Sequence, residues 1–140
     1  MKIVSLSENL NIERRIAITP DIAKKYNSLG FEVMLPKDYG LHLGFDNDHY
    51  KSQGVNIIEN EKDLLVDSDI ILQLGLLSDE NLSSLRENQN LIGVLNPFTN
   101  KEKLQDLLKK SKQFFFGIIT PNNKSSINGY SFFSSKSGRV

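Results

Sequence analysis

The strongest constraint on the fold is a regular alternation of short apolar runs with helical segments. Strand-like runs occupy residues 2–6, 31–35, 55–58, 69–74, 91–95 and 114–119, and helical segments occupy residues 21–29, 47–52, 60–65, 78–85 and 100–110. Strands that alternate with helices form a parallel sheet whose two faces are covered by those helices. The predicted fold class is therefore α/β, an open and mainly parallel sheet of the flavodoxin or Rossmann type.

Local signals place the start of the first helix sharply. Thr19 can cap the free amides, Pro20 has a preset φ, and Asp21 complements the positive end of the helix dipole. Gly30 suits the left-handed residue that ends a helix. One apolar helix face is predicted to hold Ile22, Ala23, Tyr26 and Leu29.

Two arginines, Arg14 and Arg15, lie where the first strand gives way to this helix. In an open α/β sheet, ligands bind at the carboxyl ends of the strands. A pair of guanidinium groups there suits a carboxylate or a phosphate. The competing interpretation is a pair of solvated arginines on a loop, which composition alone favours.

Composition narrows the classes of partner. Lys and Arg total 17, as do Asp and Glu, so the formal net charge is zero, which argues against nucleic acid or an anionic membrane surface as partner. There is no cysteine, and the two histidines, His42 and His49, are too few for a rich metal site. Surface or structural roles are predicted for both histidines. No apolar run approaches the ~20 residues of a membrane span. A cytoplasmic domain with no metal and no membrane span of its own is expected.

Several motifs occur in a specific order. Residues 13–20 read Glu-Arg-Arg-x-Ala-x-Thr-Pro, residues 29–33 read Leu-Gly-Phe-Glu-Val, and a glycine-containing loop precedes Gly44-Phe45. Residues 69–72 and 91–97 continue the series as Asp-Ile-Ile-Leu and Leu-Ile-Gly-Val-Leu-Asn-Pro. Over residues 1–119 the chain resembles the N-terminal domain shared by alanine dehydrogenase and the α subunit of proton-translocating NAD(P) transhydrogenase.

Within that family, the resemblance assigns three residues to the substrate or nicotinamide cleft. Arg15 stands where alanine dehydrogenases hold the substrate carboxylate, Gln73 where they carry a lysine, and Asn96 where they carry the catalytic histidine. Loss of the histidine removes the proton carrier that imine chemistry needs. The resemblance therefore implies transhydrogenase first, alanine dehydrogenase second and the saccharopine dehydrogenases third. The plain interpretation of Gln73 and Asn96 is ordinary polar residues at strand ends.

The resemblance also implies cofactors and partners. The intact relative binds NAD(H) between this domain and a Rossmann domain and passes hydride to NADP(H) on a separate domain. It is a dimer at the inner membrane, with further domains or subunits. No Gly-x-Gly-x-x-Gly follows a strand in this chain, so no cofactor-binding residue is expected to be retained. No catalytic residue is assigned, and the chain alone is expected to be inactive.

The C-terminal segment, residues 120–140, departs from the pattern. It is rich in Ser, Asn and Lys, and it carries Tyr130, Phe132 and Phe133 without a strand or helix pattern. Codons compatible with the chain from Gly117 onward, read one base later, encode Glu-Leu-Leu-Pro-Arg-Ile-Thr-Arg-Ala-Gln-Ser-Met-Asp, the nicotinamide-contacting loop expected of a transhydrogenase. The codons of Phe114-Phe115-Phe116 can form a thymidine run that permits such a slip. We therefore expect an incomplete domain over 1–119 and a disordered, frameshift-derived tail over 120–140.

Two alternatives stay open at this point. The chain could be a flavodoxin-like binding module without catalysis, because many folds share the βα pattern. It could also be a degenerate product without a function of its own. A phosphoacceptor receiver is disfavoured, since it needs several acidic residues after the first strand and Glu8 is alone there.

Overall fold

Five strands alternate with helices in the computed structural model, which describes residues 1–96 and 99–110. The elements are β1 (Lys2–Val4), α1 (Pro20–Ser28), β2 (Glu32–Pro36), a 3-10 turn (Leu41–Leu43), α2 (Asn47–Ser52), β3 (Asn56–Ile58), α3 (Glu61–Asp67), β4 (Ile70–Gln73), α4 (Asp79–Ser83), β5 (Asn90–Gly93) and α5 (Lys101–Lys110). The strand predicted at 114–119 and the tail at 120–140 lie outside the described residues.

Short polar side chains fix where the helices begin. The Ile22 amide donates to Thr19 Oγ1 over 3.4 Å, and Pro20 occupies the first turn, as the sequence predicts. Asp46 caps α2 in the same way, accepting from the His49 amide at 2.8 Å. The predicted apolar face of α1 is wrong at Leu29, which is 73% exposed because α1 ends one residue earlier.

All five strands of the sheet are parallel, in the order β3-β2-β1-β4-β5. The chain steps outward from β1 to β3 and then crosses back to place β4 on the other side of β1. This reversal makes the carboxyl ends of β1 and β4 the topological switch point, where open α/β sheets bind their ligands. The parallel α/β fold predicted from the alternation is confirmed.

Each face of the sheet carries its own apolar core. On one face, strand residues such as Val4 and Ile71 pack with Leu64 and Leu65 of α3 and with side chains of α4 and α5. On the other face, strand residues such as Val33 pack with Ala23 of α1 and Tyr50 of α2. The sheet is thus held between two helical layers, which leaves its carboxyl edge free for a site.

Strand β5 approaches β4 closely at that edge. Gly93 is opposite Gln73 in the register, and a Cβ added to Gly93 would lie 1.5 Å from the Gln73 carbonyl oxygen. The Leu95 amide then donates to the Leu74 carbonyl over 2.8 Å, which continues the pairing past the strand. Only a glycine permits this approach, so Gly93 fixes how β5 meets the end of β4.

Candidate functional site

The candidate site lies at the switch point, and three segments of the chain contribute residues to it. Gln73 is the last residue of β4, Arg15 lies on the segment between β1 and α1, and Asn96 follows β5. Residues 13–19 of that connection form the arginine segment. The local sequence therefore brings each predicted residue to the same edge of the sheet.

Gln73 is a buried clamp on the end of β1. Its Oε1 accepts from the Leu6 amide at 3.0 Å and from Ser5 Oγ at 3.4 Å. Its Nε2 donates to the Leu6 carbonyl and to Glu8 Oε1, both over 3.0 Å. A glutamine amide offers two donor and two acceptor positions, and here all four are used. Gln73 is 3% exposed and therefore acts on the site by holding its neighbours.

Glu8 is the group that Gln73 holds toward the edge of the sheet. Its Oε1 accepts from the Gly75 amide at 2.9 Å and from Gln73, while Oε2 takes a longer bond of 3.2 Å from the same Gly75 amide. Burial raises the pKa of the Glu8 carboxyl above its usual value, and these hydrogen bonds offset part of that effect. Glu8 is half-buried, and the Leu74 backbone contributes a further hydrogen bond to its carboxylate.

Arg15 is exposed at the site and already carries a carboxylate partner. Its Nε donates to Glu13 Oε1 over 2.9 Å and its Nη2 to Glu13 Oε2 over 2.7 Å, a bidentate pair. This pairing lowers the pKa of Glu13 and raises the pKa of Arg15. The charge of Glu8 adds a smaller contribution to the raised pKa of Arg15. Arg15 is therefore held mainly by Glu13.

Two buried tyrosines anchor the arginine segment at Ile18. The Tyr39 hydroxyl accepts from the amides of Ala17 and Ile18 at 3.0 and 3.2 Å and donates to Ser5 Oγ at 2.8 Å. The Tyr50 hydroxyl donates to the Ile18 carbonyl over 2.9 Å. Burial raises the pKa of Tyr39 to about 12, which keeps its hydroxyl neutral and donating at neutral pH. The segment is thus fixed to the end of β1 by side chains from the loop after β2 and from α2.

These contacts join into one hydrogen-bonded series. It runs from the Ile18 amide through the hydroxyls of Tyr39 and Ser5 to Gln73, and from Gln73 to Glu8. Each buried donor in the series has a partner, so the series can hold the arginine segment and Glu8 in a fixed relation.

His42 supports the same segment from outside. His42 lies in the 3-10 turn of the loop that follows β2, and its Nε2 is 2.8 Å from the Arg14 carbonyl oxygen. This contact is with backbone, which agrees with the structural role predicted for His42. His49 stacks edge-on against Phe45, with ring centroids 5.6 Å apart.

Asn96 occupies a strained turn between β5 and α5. Leu95 and Asn96 have φ values of 54° and 43°, in the left-handed region that residues other than glycine rarely adopt. The Asn96 carbonyl accepts from the amides of Thr99 and Asn100 at 3.1 and 3.0 Å, ahead of the start of α5 at Lys101. Strain of this kind is concentrated at functional sites, because the surrounding structure must hold it in place.

The three predicted residues are brought together unequally. Gln73 is bonded to Glu8, whereas Arg15 is paired with Glu13. Asn96 lies on the neighbouring strand end with an exposed side chain, and within residues 1–96 and 99–110 no hydrogen bond joins it to either of them. Glu8 and Tyr39 were not predicted from the sequence as residues of the site.

The described side chains give the site a charged edge. Glu8 and Glu13 carry two negative charges against the one positive charge of Arg15. Among the described residues, no three His, Asp or Glu side chains are grouped so as to hold a metal ion. In the same part of the chain, no helix has the length and apolar character needed to cross a bilayer.

Comparisons with known proteins agree on one family. Residues 5–117 match the family described as alanine dehydrogenase/PNT, N-terminal domain. A subunit alpha polypeptide of the NAD(P) transhydrogenase of Rickettsia prowazekii is 33% identical over 125 residues, which covers 86% of this chain and 33% of that protein. The chain thus spans about a third of the length of this relative.

Solved structures show the same fold. A transhydrogenase from Sinorhizobium meliloti superposes with a TM-score of 0.69 at 23% identity, covering 81% of this chain and 34% of the other. An L-alanine dehydrogenase gives a TM-score of 0.73 at 18% identity, covering 83% of this chain and 31% of the other. At these identities the likeness concerns the fold alone.

Proposed function

Because the chain belongs to the family of alanine dehydrogenase and pyridine nucleotide transhydrogenase N-terminal domains, we propose that it is the N-terminal domain of a transhydrogenase α subunit. In the intact enzyme, hydride passes from NADH to NADP on a separate domain and is coupled to proton movement across the membrane. The chain supplies one wall of the NAD(H) cleft, formed by Arg15, Gln73 and Asn96 at the switch point. It would act at the cytoplasmic face, together with further domains or subunits and as a dimer.

The observation that carries this proposal is the amide at position 96, where the resemblance puts the catalytic histidine of alanine dehydrogenases. Gln73 is less decisive, because the resemblance allows a lysine there in both branches. Gln73 ends β4, and Asn96 follows β5. Neither side chain can gain or lose a proton near neutral pH. Oxidation of an amino acid to an imine requires a proton acceptor, whereas direct hydride transfer between two nicotinamides does not. The site therefore favours transhydrogenation over alanine oxidation.

An alanine dehydrogenase-type reaction is the second candidate, and Arg15 is the observation that favours it. Its side chain is 67% exposed, and a guanidinium suits a substrate carboxylate. Glu13 occupies the edge formed by Nε and Nη2. A substrate carboxylate would therefore bind through the remaining Nη donors, beside the negative charge of Glu13.

The chain provides only part of the catalytic unit. It spans 33% of the Rickettsia relative, and hydride transfer needs a nicotinamide held close to its acceptor by two lobes. Residues 120–140 lie beyond the family match, which ends at residue 117, and this supports a change of reading frame after Phe116. We propose that the chain alone neither binds NAD(H) tightly nor transfers hydride.

The test combines the chain alone with a chimera. The purified chain should give no NADH-dependent reduction of an NADP analogue. A chimera that carries residues 1–116 of this chain in place of the matching domain of an intact transhydrogenase α subunit should reduce the analogue and should not oxidise alanine. Activity of the chain alone, or alanine oxidation by the chimera, would contradict the proposal.

Reading the gene across the codons of Phe114-Phe115-Phe116 tests the frame change directly. The adjacent frame should encode the nicotinamide-contacting loop. Its absence there would remove this element of the proposal and leave the family assignment intact.

A further inference from the structure

We propose that Asn100 is a positioning residue of the site, and that its side-chain amide holds Asn96 in place at the carboxyl end of β5. The inference rests on the proposed function, in which Asn96 forms part of the wall of the NAD(H) cleft. It adds a residue that the sequence resemblance does not assign and gives that residue a defined task.

The first step is the strain in the turn that carries Asn96. Leu95 and Asn96 have positive φ values of 54° and 43°, and neither residue is a glycine. Consecutive residues of this kind are uncommon in the left-handed region, because the Cβ atom there crowds a neighbouring carbonyl oxygen. Such a conformation persists only where surrounding contacts hold it. The position of Asn96 therefore depends on the contacts of this turn.

Backbone contacts provide part of that support. Leu95 is fully buried, and its amide donates to the Leu74 carbonyl over 2.8 Å. The Asn96 carbonyl accepts from the amides of Thr99 and Asn100 at 3.1 and 3.0 Å. These hydrogen bonds join backbone atoms, so they can form whatever side chains are present. None of them involves the Leu95 carbonyl, which needs a donor of its own.

The side chain of Asn100 provides that donor. Its Nδ2 donates to the Leu95 carbonyl over 2.9 Å, in a partly buried contact. Because the Asn100 amide also bonds to the Asn96 carbonyl, one residue binds the carbonyls of both strained residues. Within residues 1–96 and 99–110, no other side chain forms a hydrogen bond to the backbone of this turn. The turn therefore depends on which side chain stands at position 100.

Asn100 also starts α5, and this second role uses a different atom. The Leu104 amide donates to the Asn100 carbonyl over 2.9 Å, at the beginning of the helix that starts at Lys101. Asparagine and aspartate are about equally favourable before the first residue of a helix. An ionised aspartate, however, has no N–H to donate to the Leu95 carbonyl. Asn100→Asp therefore keeps a good helix start and removes the contact with the turn.

Asn27 offers a matched control at the opposite edge of the sheet. Its Nδ2 donates to the Gln53 carbonyl over 2.7 Å, and this contact is also partly buried. Asn27 lies near the end of α1, which leads into β2, and Gln53 lies between α2 and β3. The pair is thus at the amino edge, away from the site. Asn27→Asp removes the same kind of donor from the same kind of acceptor.

Hydrogen exchange of the 140-residue chain, followed by NMR, tests the contact with the turn. In Asn100→Asp, the amides of Leu95 and Thr99 should exchange at least about tenfold faster than in the wild type, because the turn opens locally. The Leu104 amide should exchange less than about threefold faster, since the start of α5 is retained. Asn27→Asp should leave all three amides close to their wild-type rates.

Kinetics of the chimera test the link to the cofactor. Asn100→Asp should raise the KM for NADH at least about fivefold, the effect of one lost neutral hydrogen bond, and should change kcat less than about twofold. A loss of folded protein would instead lower kcat at an unchanged KM. The KM for the NADP analogue should stay constant, because NADP binds to a separate domain. Asn27→Asp should leave both KM values unchanged.

A substitution at position 96 shows whether Asn100 acts through Asn96. Asn96→Gly removes the side chain, and glycine adopts the left-handed conformation freely. In that background, Asn100→Asp should raise the KM for NADH less than about twofold, since no side chain remains to be positioned. An increase of the same size in both backgrounds would show that Asn100 acts elsewhere, and it would overturn the inference.

Other results would also overturn the inference. Unchanged exchange at Leu95 and Thr99 in Asn100→Asp, or an equal increase at Leu104, would contradict the contact with the turn. An active chimera whose KM for NADH is insensitive to Asn100→Asp would overturn the inference and leave the proposed function standing. An inactive chimera would contradict the proposed function, and the exchange rates would then decide alone whether Asn100 holds the turn.

Discussion

At the scale of single residues, Glu8 combines a buried carboxylate with a fixed set of donors. Its partners are far away in sequence: Gln73 and Gly75 lie 65 and 67 residues from it. No local pattern indicates such a contact, so the sequence could place Arg15 at the strand ends but could not identify Glu8 beside Gln73. Tyr39 was missed for the same reason, since it reaches Ile18 over 21 residues.

The buried charge of Glu8 should make the effect of Glu8→Gln on stability depend on pH. Burial raises the pKa of Glu8 in the folded chain above its unfolded value, so folding favours the protonated acid. The wild type should therefore be less stable than Glu8→Gln above the folded pKa. As the pH falls from the folded pKa through the unfolded pKa, the difference in free energy of unfolding should close.

Urea unfolding of both proteins at a series of pH values measures this difference. Titration of other groups affects both chains alike and cancels in the comparison. Glu59→Gln provides the control, because it removes the same charge from a side chain that is 79% exposed. A wild type that loses stability relative to Glu8→Gln as the pH falls would show that the hydrogen bonds to the ionised carboxylate outweigh its burial.

At the scale of elements, the starts of the helices could be predicted well because their signals are local. Asn60 and Ser78 cap α3 and α4 where polar residues precede the helical segments. Most strands are shorter than their apolar runs, and β1 shows why. Residues Ser5 and Leu6 pair with the side chain of Gln73, so the backbone ladder ends at Val4 although the apolar run continues.

The contact between β4 and β5 should not tolerate a methyl group at Gly93. Gly93→Ala would place a Cβ 1.5 Å from the Gln73 carbonyl oxygen, so β5 would have to move away from β4. We expect a loss of at least about 3 kcal/mol in the free energy of unfolding, at the upper end for overpacking of a buried contact.

Gly75→Ala is the matched control. Its added Cβ would lie 3.4 Å from Glu8 Oε1, which is ordinary contact, so the chain should fold with a loss of about 1 kcal/mol or less. Denaturant unfolding monitored by circular dichroism measures both variants. Equal stability of Gly93→Ala and wild type would contradict the close approach of β5 to the Gln73 carbonyl oxygen.

At the scale of the whole molecule, alternation of strands and helices predicts the class of the sheet but not its strand order. The order β3-β2-β1-β4-β5 follows from the crossover between β3 and β4, which no residue pattern marks. This crossover creates the switch point, so the sequence alone could not show that β1 and β4 share the site. The family resemblance could, because it carries the arrangement of known members.

An incomplete cleft should give almost no stabilisation by NADH. A ligand stabilises a fold by RT ln(1 + [L]/Kd), which is below about 0.1 kcal/mol when Kd exceeds the ligand concentration about tenfold. We expect NADH at about 1 mM to raise the melting temperature of the chain by less than about 1 °C. Differential scanning fluorimetry measures this shift.

Flavin mononucleotide is the informative comparison in the same assay. A flavodoxin-like binding module should respond to it by several degrees, whereas a transhydrogenase domain should not. A large shift with the flavin would favour the binding module over the proposed function. A large shift with NADH would instead show that one lobe is sufficient for tight binding.

All four hydrogen-bonding positions of the Gln73 amide are filled, which limits the residues that can replace it. A lysine at this position, as the resemblance gives for alanine dehydrogenases, can donate hydrogen bonds but cannot accept them from the Leu6 amide and Ser5 Oγ. Gln73→Lys alone would thus leave buried donors unpaired. We therefore expect Gln73→Lys to be tolerated only when the residues at the end of β1 that bond to Gln73 are changed with it.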